Sequence, residues 1–179
     1  QIGEDYVAAN AILINLVFLS AFILDAYAFS TEGIVGYSLG KKDLNLFKKI
    51  IKNSFILSSV TGLIISILFF FFHNSVINLM SDINEIRMLS SSYVVWLIIL
   101  PIISSFCYQF DGIFIGTSQT KELRNAMIFS VLIYLLISIM LTKFLLNTGI
   151  WISLCIFMIL RAISLFYYLD KIYLRFRKN

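Results

Sequence analysis

The stretch Phe55–Phe72 reads FILSSVTGLIISILFFFF, eighteen residues without a charged side chain. A helix needs about 20 mostly apolar residues to cross the hydrocarbon core of a bilayer. Of the 179 residues in the chain, 60% are hydrophobic and only 13% are charged, and the mean hydropathy is +0.92. A soluble domain, in which about a quarter of the residues are charged, has enough polar surface to cover its core, and this chain does not. The sequence therefore predicts an all-α polytopic membrane protein.

Four further segments have the length and composition of membrane-spanning helices. The five predicted spans are residues 7–31, 55–72, 93–115, 126–141 and 150–169. Cys107 and Cys155 stand alone inside two of them, without the paired spacing of a metal or disulfide site. We interpret both as packing residues, and we expect no metal centre and no organic cofactor.

Basic residues separate the predicted loops into two sets. Eleven of them lie in the loops after the first and third spans and in the C-terminal tail, whereas only Arg87 and Lys143 lie on the other side. The positive-inside rule places the basic side, and with it the C-terminus, in the cytoplasm. Because topology explains the net charge of +4, we expect the lipid bilayer as a partner and no nucleic acid.

Two connecting segments have a distinctive composition. Residues 42–52 interleave lysines with apolar side chains, which fits either a short amphipathic helix on the membrane surface or an ordinary basic loop. Residues 80–87 predict a polar loop on the opposite side of the membrane.

Two carboxylates lie inside predicted spans, where charge is most expensive. Asp25 lies in AFILDAYAFSTEGIVG at residues 21–36, and Asp111 lies in FCYQFDGIFIGT at residues 106–117. A charge at the bilayer centre costs roughly 2.5–3.5 kcal/mol on insertion scales, and such residues usually face a cavity or a partner on an ion path. Transport is therefore the first functional hypothesis, with Asp25 and Asp111 as its site residues.

Helical spacing assigns companions to both carboxylates. Glu32 follows Asp25 by seven residues on the same helix face, either as part of a polar stripe facing a cavity or as an interfacial anchor paired with a lysine. Tyr108 precedes Asp111 by three residues and can share its face. A desolvated Asp111 can hold a proton at neutral pH, can hold Na⁺ if further oxygen ligands are near, or can serve as the structural partner of a basic group.

Several other residues suggest how the spans pack and bend. Glycines recur at four-residue spacing near the basic ends of the first and third spans, at Gly36, Gly40, Gly112 and Gly116. Small residues at this spacing let helices approach closely. The two spans share the order carboxylate, glycines and basic loop, which we call the internal echo and interpret as a weak sign of a repeat. Pro101 predicts a kink or hinge in the third span. Arg161 lies inside the fifth span, where we expect a structural ion pair with an acidic residue of another helix.

Two motifs carry a family resemblance. DAYAFSTEGIVG at residues 25–36 and DGIFIGT at 111–117, followed by Arg124 and Asn125, resemble signatures of the multidrug and toxic compound extrusion (MATE) transporters, most closely the DNA-damage-inducible protein F group. AANAIL at residues 8–13 is similar to the start of a helix in that group. The resemblance implies five helices, eight to twelve, of a twelve-helix transporter with two six-helix lobes. It also implies export of cationic or amphipathic small molecules, coupled to inward H⁺ or Na⁺, across a bacterial inner membrane.

Two features depart from the family pattern. Ala26 stands where a glycine is usual, and Tyr37 where glutamine is frequent, which affects local packing and specificity. The N-terminal lobe is missing, and the chain begins without methionine and without the basic start of a signal sequence. Five spans with an external N-terminus are an awkward complete protein, so we expect a fragment or a processed chain that acts with the missing lobe.

Three other functional classes compete with an exporter. A related flippase for lipid-linked oligosaccharides should carry more basic residues in its cavity than the single mid-span Arg161. A membrane enzyme needs a nucleophile with a base or a metal cluster, and the chain has one histidine and no G-x-S-x-G motif, so we expect no enzyme. A non-transporting assembly subunit or a gene remnant would suit the short length.

Overall fold

The computed structural model describes residues 3–177, which form α-helices joined by short turns. The six helices in this range are α1 (Glu4–Gly40), α2 (Leu44–Met80), α3 (Asn84–Ser92), α4 (Val94–Gly116), α5 (Thr120–Leu145) and α6 (Asn147–Arg177). All of them except α3 are long and apolar enough to cross a membrane. The prediction of an all-α polytopic membrane protein is confirmed.

The helices run beyond the spans predicted for them. α1 and α2 each have 37 residues, so each is about 55 Å long, whereas a bilayer core is about 30 Å thick. We use the term basic end for the end of the bundle where α1, α4 and α6 finish and where α2 and α5 begin, and opposite end for the other. The predicted spans stay predictions, because a helix can continue beyond the part of it that crosses the bilayer core.

The lysine-rich segment is neither a separate surface helix nor a loop. Asp43 caps the N-terminus of α2 by accepting the Leu46 N–H at 2.9 Å, so residues 44–52 are the first turns of α2. Phe47 and Ile50 of this segment are buried within the protein. The Phe47 ring lies 5.7 Å from the ring of Tyr173 on α6, so this segment joins α2 to α6.

The predicted polar loop at residues 80–87 is also largely helical. α3 begins at Asn84, and only the three residues before it connect it to α2. Arg87 on α3 donates to the backbone carbonyls of Asn78 and Ser81 and pairs with Asp82 at 3.2 Å. A guanidinium at the C-terminus of α2 satisfies carbonyls that have no partner within the helix.

Buried apolar side chains form two clusters with a polar layer between them. The opposite-end cluster contains Ile12, Leu13, Leu16, Leu24, Ile65, Phe69, Ile77, Leu97, Leu100, Trp151 and Cys155. The basic-end cluster contains Val35, Phe47, Ile50, Phe110, Ile113, Phe114, Ala126, Leu165 and Ile172. The polar layer consists of Thr31, Ser58, Thr61, Ser105, Gln109, Asp111 and Arg161. Each long helix except α5 contributes to this layer, which lies between the two clusters.

Glycines bring α1 and α4 into backbone contact. A Cβ atom on Gly112 would overlap the carbonyl oxygen of Ala28, and one on Gly116 would overlap that of Glu32. A Cβ atom on Gly36 would lie 3.0 Å from the Gly116 carbonyl oxygen. Such close contact with the α1 backbone is possible because Gly112 and Gly116 on α4 carry no side chain.

Gly40 differs from expectation, whereas the kink or hinge at Pro101 stays a prediction. Nothing lies within 4 Å of a Cβ atom on Gly40, so this glycine takes no part in the α1–α4 contact, which ends before the last turn of α1. α4 continues through Pro101 from Val94 to Gly116 without a break in the helix. The Pro101 carbonyl would lie 2.7 Å from a Cβ atom on Gly62, so α2 approaches α4 closely at this point.

The internal echo between α1 and α4 is limited to how the two helices end. Lys42 and Ser118, each the second residue after its helix, are both left-handed, with φ of 57° and 56°. In both turns the next residue donates its N–H to the carbonyl five residues earlier, at 3.1 and 2.8 Å. Measured from these ends, Asp25 is fifteen residues away and Asp111 only five, so the two carboxylates are not equivalent positions.

Candidate functional site

Asp111 forms an ion pair with Arg161 inside the bundle. Asp111 lies on α4 and Arg161 on α6, and the Nη2 of Arg161 donates to the Oδ2 of Asp111. Their side chains are only 11% and 14% exposed. In this structure Asp111 is therefore the structural partner of a basic group, one of the three roles considered for it. It is also the acidic partner that was expected for Arg161.

The pair leaves polar atoms unused in the same layer. The Oδ1 of Asp111, the Nε of Arg161 and the Nε2 of Gln109 are buried and have no hydrogen-bond partner among the described residues. Gln109 faces α1, whereas Asp111 and Arg161 face each other between α4 and α6. Most buried polar groups in proteins are satisfied, so unpartnered atoms such as these three mark places where a ligand can bind. One is a carboxylate oxygen, which favours a cation, and two are N–H donors.

Gln109 connects this layer to α1. The buried Thr31 hydroxyl donates to the Oε1 of Gln109 at 2.8 Å and contacts the carbonyl of Tyr27 at the same distance. The Tyr27 hydroxyl in turn accepts from Thr61 on α2 at 2.9 Å. These bonds link α1, α2 and α4 at the height of Asp111, and they hold the carboxylate-bearing part of α4 in place.

The other predicted site residues lie on α1 and α4. Asp25 and Glu32 are both half-buried on α1 and make no ion pair among the described residues, so the predicted pairing of Glu32 with a lysine is absent there. Asp25 is close enough to act electrostatically on Asp111. Tyr108 is half-buried and packs against the opposite-end cluster. Phe29, which shares their stripe, is 69% exposed, so this side of α1 flanks the packed face and is open.

The metal chemistry of the site is limited. Among the described residues, no group of three or more His, Cys, Asp or Glu side chains could hold a metal ion. Cys107 and Cys155 are both buried and free of disulfides. A cation at this site would therefore depend on Asp111 together with neutral oxygen atoms.

Comparison with known proteins settles the family. The MatE family model matches residues 1–140 of the chain. This chain belongs to the MatE family. The resemblance predicted from the two motifs is thus confirmed, and the chain is a multi-pass membrane protein of that family.

One curated relative extends the match to the C-terminal helices of this MatE chain. It is the DNA damage-inducible protein F of Escherichia coli (strain K12), which is 29% identical over 165 residues. The alignment covers 92% of the MatE chain and 36% of the relative, so the chain spans about a third of the relative's length. No solved structure gives a significant match.

Sequence reasoning missed one polar cluster of this MatE chain. Asn10 and Asn147 form a reciprocal amide pair at 2.5 and 3.1 Å, and the indole of Trp151 donates to Asn10 at 3.1 Å. The available signal was an asparagine within an apolar run, at AANAIL. Its partner is 137 residues away in the chain, so only the packing of α6 against α1 reveals it.

Proposed function

We propose that this chain forms most of the C-terminal lobe of a MATE-type secondary transporter. The complete transporter would export cationic or amphipathic small molecules in exchange for inward H⁺ or Na⁺. Family membership supports the transport class. The observation that carries the role of this lobe is a buried carboxylate, Asp111, with one oxygen unpartnered in the middle of a polar layer. Ionisable residues inside a membrane protein are characteristic of ion pathways.

In this proposal Asp111 takes up the coupling cation. A proton needs only the free Oδ1 atom, whereas Na⁺ needs several oxygen ligands at once, which Tyr108 and backbone carbonyls would have to supply. Binding of either cation changes the net charge of the layer, and that change favours one of the two states of alternating access over the other. Asp25 and Glu32, half-buried beside the glycine contact, would face the substrate cavity.

The distribution of basic residues gives this lobe its proposed orientation in the membrane. With the basic end in the cytoplasm of a bacterial inner membrane, Asp111 would lie in the cytoplasmic half of α4, five residues from its end. The flippase alternative is weaker, because Arg161 is engaged by Asp111 and does not line a basic cavity. A non-transporting subunit is separated from a transporter by the following experiment.

Asp111→Asn in the native polypeptide that carries this sequence is the direct test. Asparagine keeps the shape of the side chain but cannot take up a coupling cation as a carboxylate does. We expect coupled efflux of a cationic dye from membrane vesicles to fall to the background of vesicles without the protein. Imposing H⁺ and Na⁺ gradients separately on the unmodified protein would identify the ion.

Asp82→Asn is the matched control, because Asp82 is fully exposed in the α2–α3 connection. It makes the same chemical change outside the polar layer and should leave efflux unchanged. Normal efflux by Asp111→Asn at equal membrane abundance would exclude Asp111 as the coupling residue.

A further inference from the structure

Polar contacts tie α6 to the rest of the bundle at both of its ends. At the opposite end, Asn147 and Trp151 bond to Asn10 of α1. At the basic end, the Arg175 guanidinium donates to the backbone carbonyl of Thr117, the residue that follows α4. Asn147 and Arg175 are 28 residues apart in sequence, so these end ties are about 42 Å apart along α6.

In the middle of α6, which also packs against α5 through Phe157 and Tyr134, the ion pair is the polar side-chain contact with the other helices. Arg161 lies 14 residues from each end tie, and its partner is Asp111. Between Cys155 and Leu165, which are both buried, no residue of α6 is fully buried. The apolar packing of α6 is therefore concentrated in the two clusters, and the ion pair is the specific contact at mid-height.

Under the proposed function, the Asp111 carboxylate both binds the coupling cation and pairs with Arg161. A guanidinium is a permanent cation, because it stays protonated at any pH that proteins tolerate. The Asp111–Arg161 pair is neutral overall, and adding a coupling cation would give the site a net positive charge. Each cation must weaken the binding of the other, and by thermodynamic linkage the two effects are equal in size.

We propose that Arg161 is a built-in competitor of the coupling cation for Asp111, and that its release frees the middle of α6. This inference rests on the proposed function and names the segment that moves when the cation binds, which is the middle of α6. When the cation occupies Asp111, the ion pair opens, and the middle of α6 with the part of α5 packed on it shifts against α1, α2 and α4 while the two end ties of α6 hold. Arg161 is a positioning residue here, since it acts through Asp111 and touches no substrate.

The surroundings of the pair are compatible with this exchange. Arg161 from α6 and Asp25 from α1 act electrostatically on Asp111, which in turn acts on Cys107 and Tyr108 of its own helix. Asp25 is half-buried without an ion pair of its own, so it offers negative charge to a released guanidinium. The long apolar stem of arginine lets its head group move while the stem stays packed.

The first test is the cation dependence of efflux in Arg161→Gln. Without the competing guanidinium, Asp111 should bind the coupling cation more tightly. We expect the cation concentration for half-maximal efflux to fall about tenfold, within the usual range of coupling between two sites. For protons, this is a shift of the pH profile by about one unit toward higher pH. Arg161→Lys, which keeps a charge but loses the planar fork, should shift it less.

A purely structural role for Arg161 predicts a different result. Efflux would then fall with the amount of folded protein, and the half-maximal cation concentration would stay where it is. That outcome would overturn the inference, while loss of efflux in Asp111→Asn would leave the proposed function standing. If Arg161→Gln does not fold, Arg161→Lys gives the same readout with the charge retained.

The second test measures the hairpin directly. Spin labels at Leu68→Cys on α2 and Leu136→Cys on α5, both on exposed side chains, report the distance between the hairpin and the body of the bundle. Asp111→Asn and the double variant Asp111→Asn/Arg161→Gln should both shift or broaden this distance distribution. The double variant leaves no unpaired buried charge, so it also serves if the single variant misfolds.

Lys171→Gln is the matched control for the distance measurement. Lys171 pairs with Glu122 at 3.2 Å within the hairpin itself, so its loss should not change the distance to α2. An unchanged distance distribution in Asp111→Asn and in the double variant, relative to the unmodified protein, would refute the release of α6.

Discussion

Helix α4 has two contact faces that are built in opposite ways. Gly112 faces α1, where backbone touches backbone, and Asp111, the preceding residue, faces α6 through a charge. The glycine contact is made by backbone atoms, which have less freedom to rearrange than side chains. The contact with α6 combines apolar packing with a few polar bonds, and protonation or ion binding can break the central one. One interface is therefore suited to hold position, and the other is suited to switch.

The physical reason lies in the membrane solvent. Lipid is as apolar as leucine, so helices in a bilayer gain association energy from close van der Waals packing and from polar contacts. α1 and α4 use the first source, through Gly112 and Gly116. α6 uses both sources, with apolar packing in the two clusters and a charge between them.

Breaking the glycine contact should have the largest effect. Gly112→Val would place a side chain on the Ala28 carbonyl, and the two helices would have to separate. Overpacking of this kind costs about 3 kcal/mol, a large part of the stability of a typical protein. We expect little folded protein, measured as the monodisperse fraction by size-exclusion chromatography after detergent extraction.

Gly33→Val provides the control for that experiment. Nothing lies within 4 Å of a Cβ atom on Gly33, which is exposed on α1. It should give a folded yield close to that of the unmodified protein. Equal yields from Gly33→Val and Gly112→Val would mean that the α1–α4 contact is loose.

Removing the end tie at Asn10 should have an intermediate effect on the unfolding free energy. Asn10→Ala removes both hydrogen bonds with Asn147 and the one from Trp151. Hydrogen bonds between membrane helices contribute about 0.6 kcal/mol each on average, so a loss of about 1–2 kcal/mol in unfolding free energy is expected. Denaturation in lipid micelles would measure it.

Asn53→Ala makes the same substitution on an exposed position of α2, and its unfolding free energy should change little. If Asn10→Ala were equally silent, α6 would be held by apolar packing alone. The end ties would then have no role in guiding the hairpin.

The sequence was sufficient for the class of fold but not for the choice of partners. Hydropathy alone located five spans, since lipid imposes a composition on every lipid-facing turn. Asp25 and Asp111 looked equivalent because both interrupt apolar runs. α1 is apolar on all sides, so periodicity does not mark which of its faces is packed. Only the packed bundle shows that Asp111 is buried and paired, while Asp25 is half-exposed.

The ends of the helices could not be predicted from the sequence, for a related reason. Outside the bilayer core, polar residues continue a helix as readily as they form a loop, so 44–52 and 84–92 looked like connections. The existence of an ion pair at Arg161 could be predicted, because an arginine inside a span needs a carboxylate partner. Which carboxylate it takes depends on the rotation of α6 about its axis, and sequence spacing does not determine that rotation.

The smallest expected effect concerns two glycines one turn apart on α1. Gly36 lies at the edge of the contact, where a Cβ atom would be 3.0 Å from the Gly116 carbonyl, and Gly40 lies beyond it. Gly40→Ala should stabilise the protein by about 0.4–1 kcal/mol, because alanine restricts the unfolded chain and meets no obstacle here. Gly36→Ala gains the same entropy but must push the two backbones apart, so its net effect should be destabilising. Opposite signs in the two unfolding free energies would place the boundary of the fixed interface between these residues, whereas stabilisation by both would show that α1 can yield at its end.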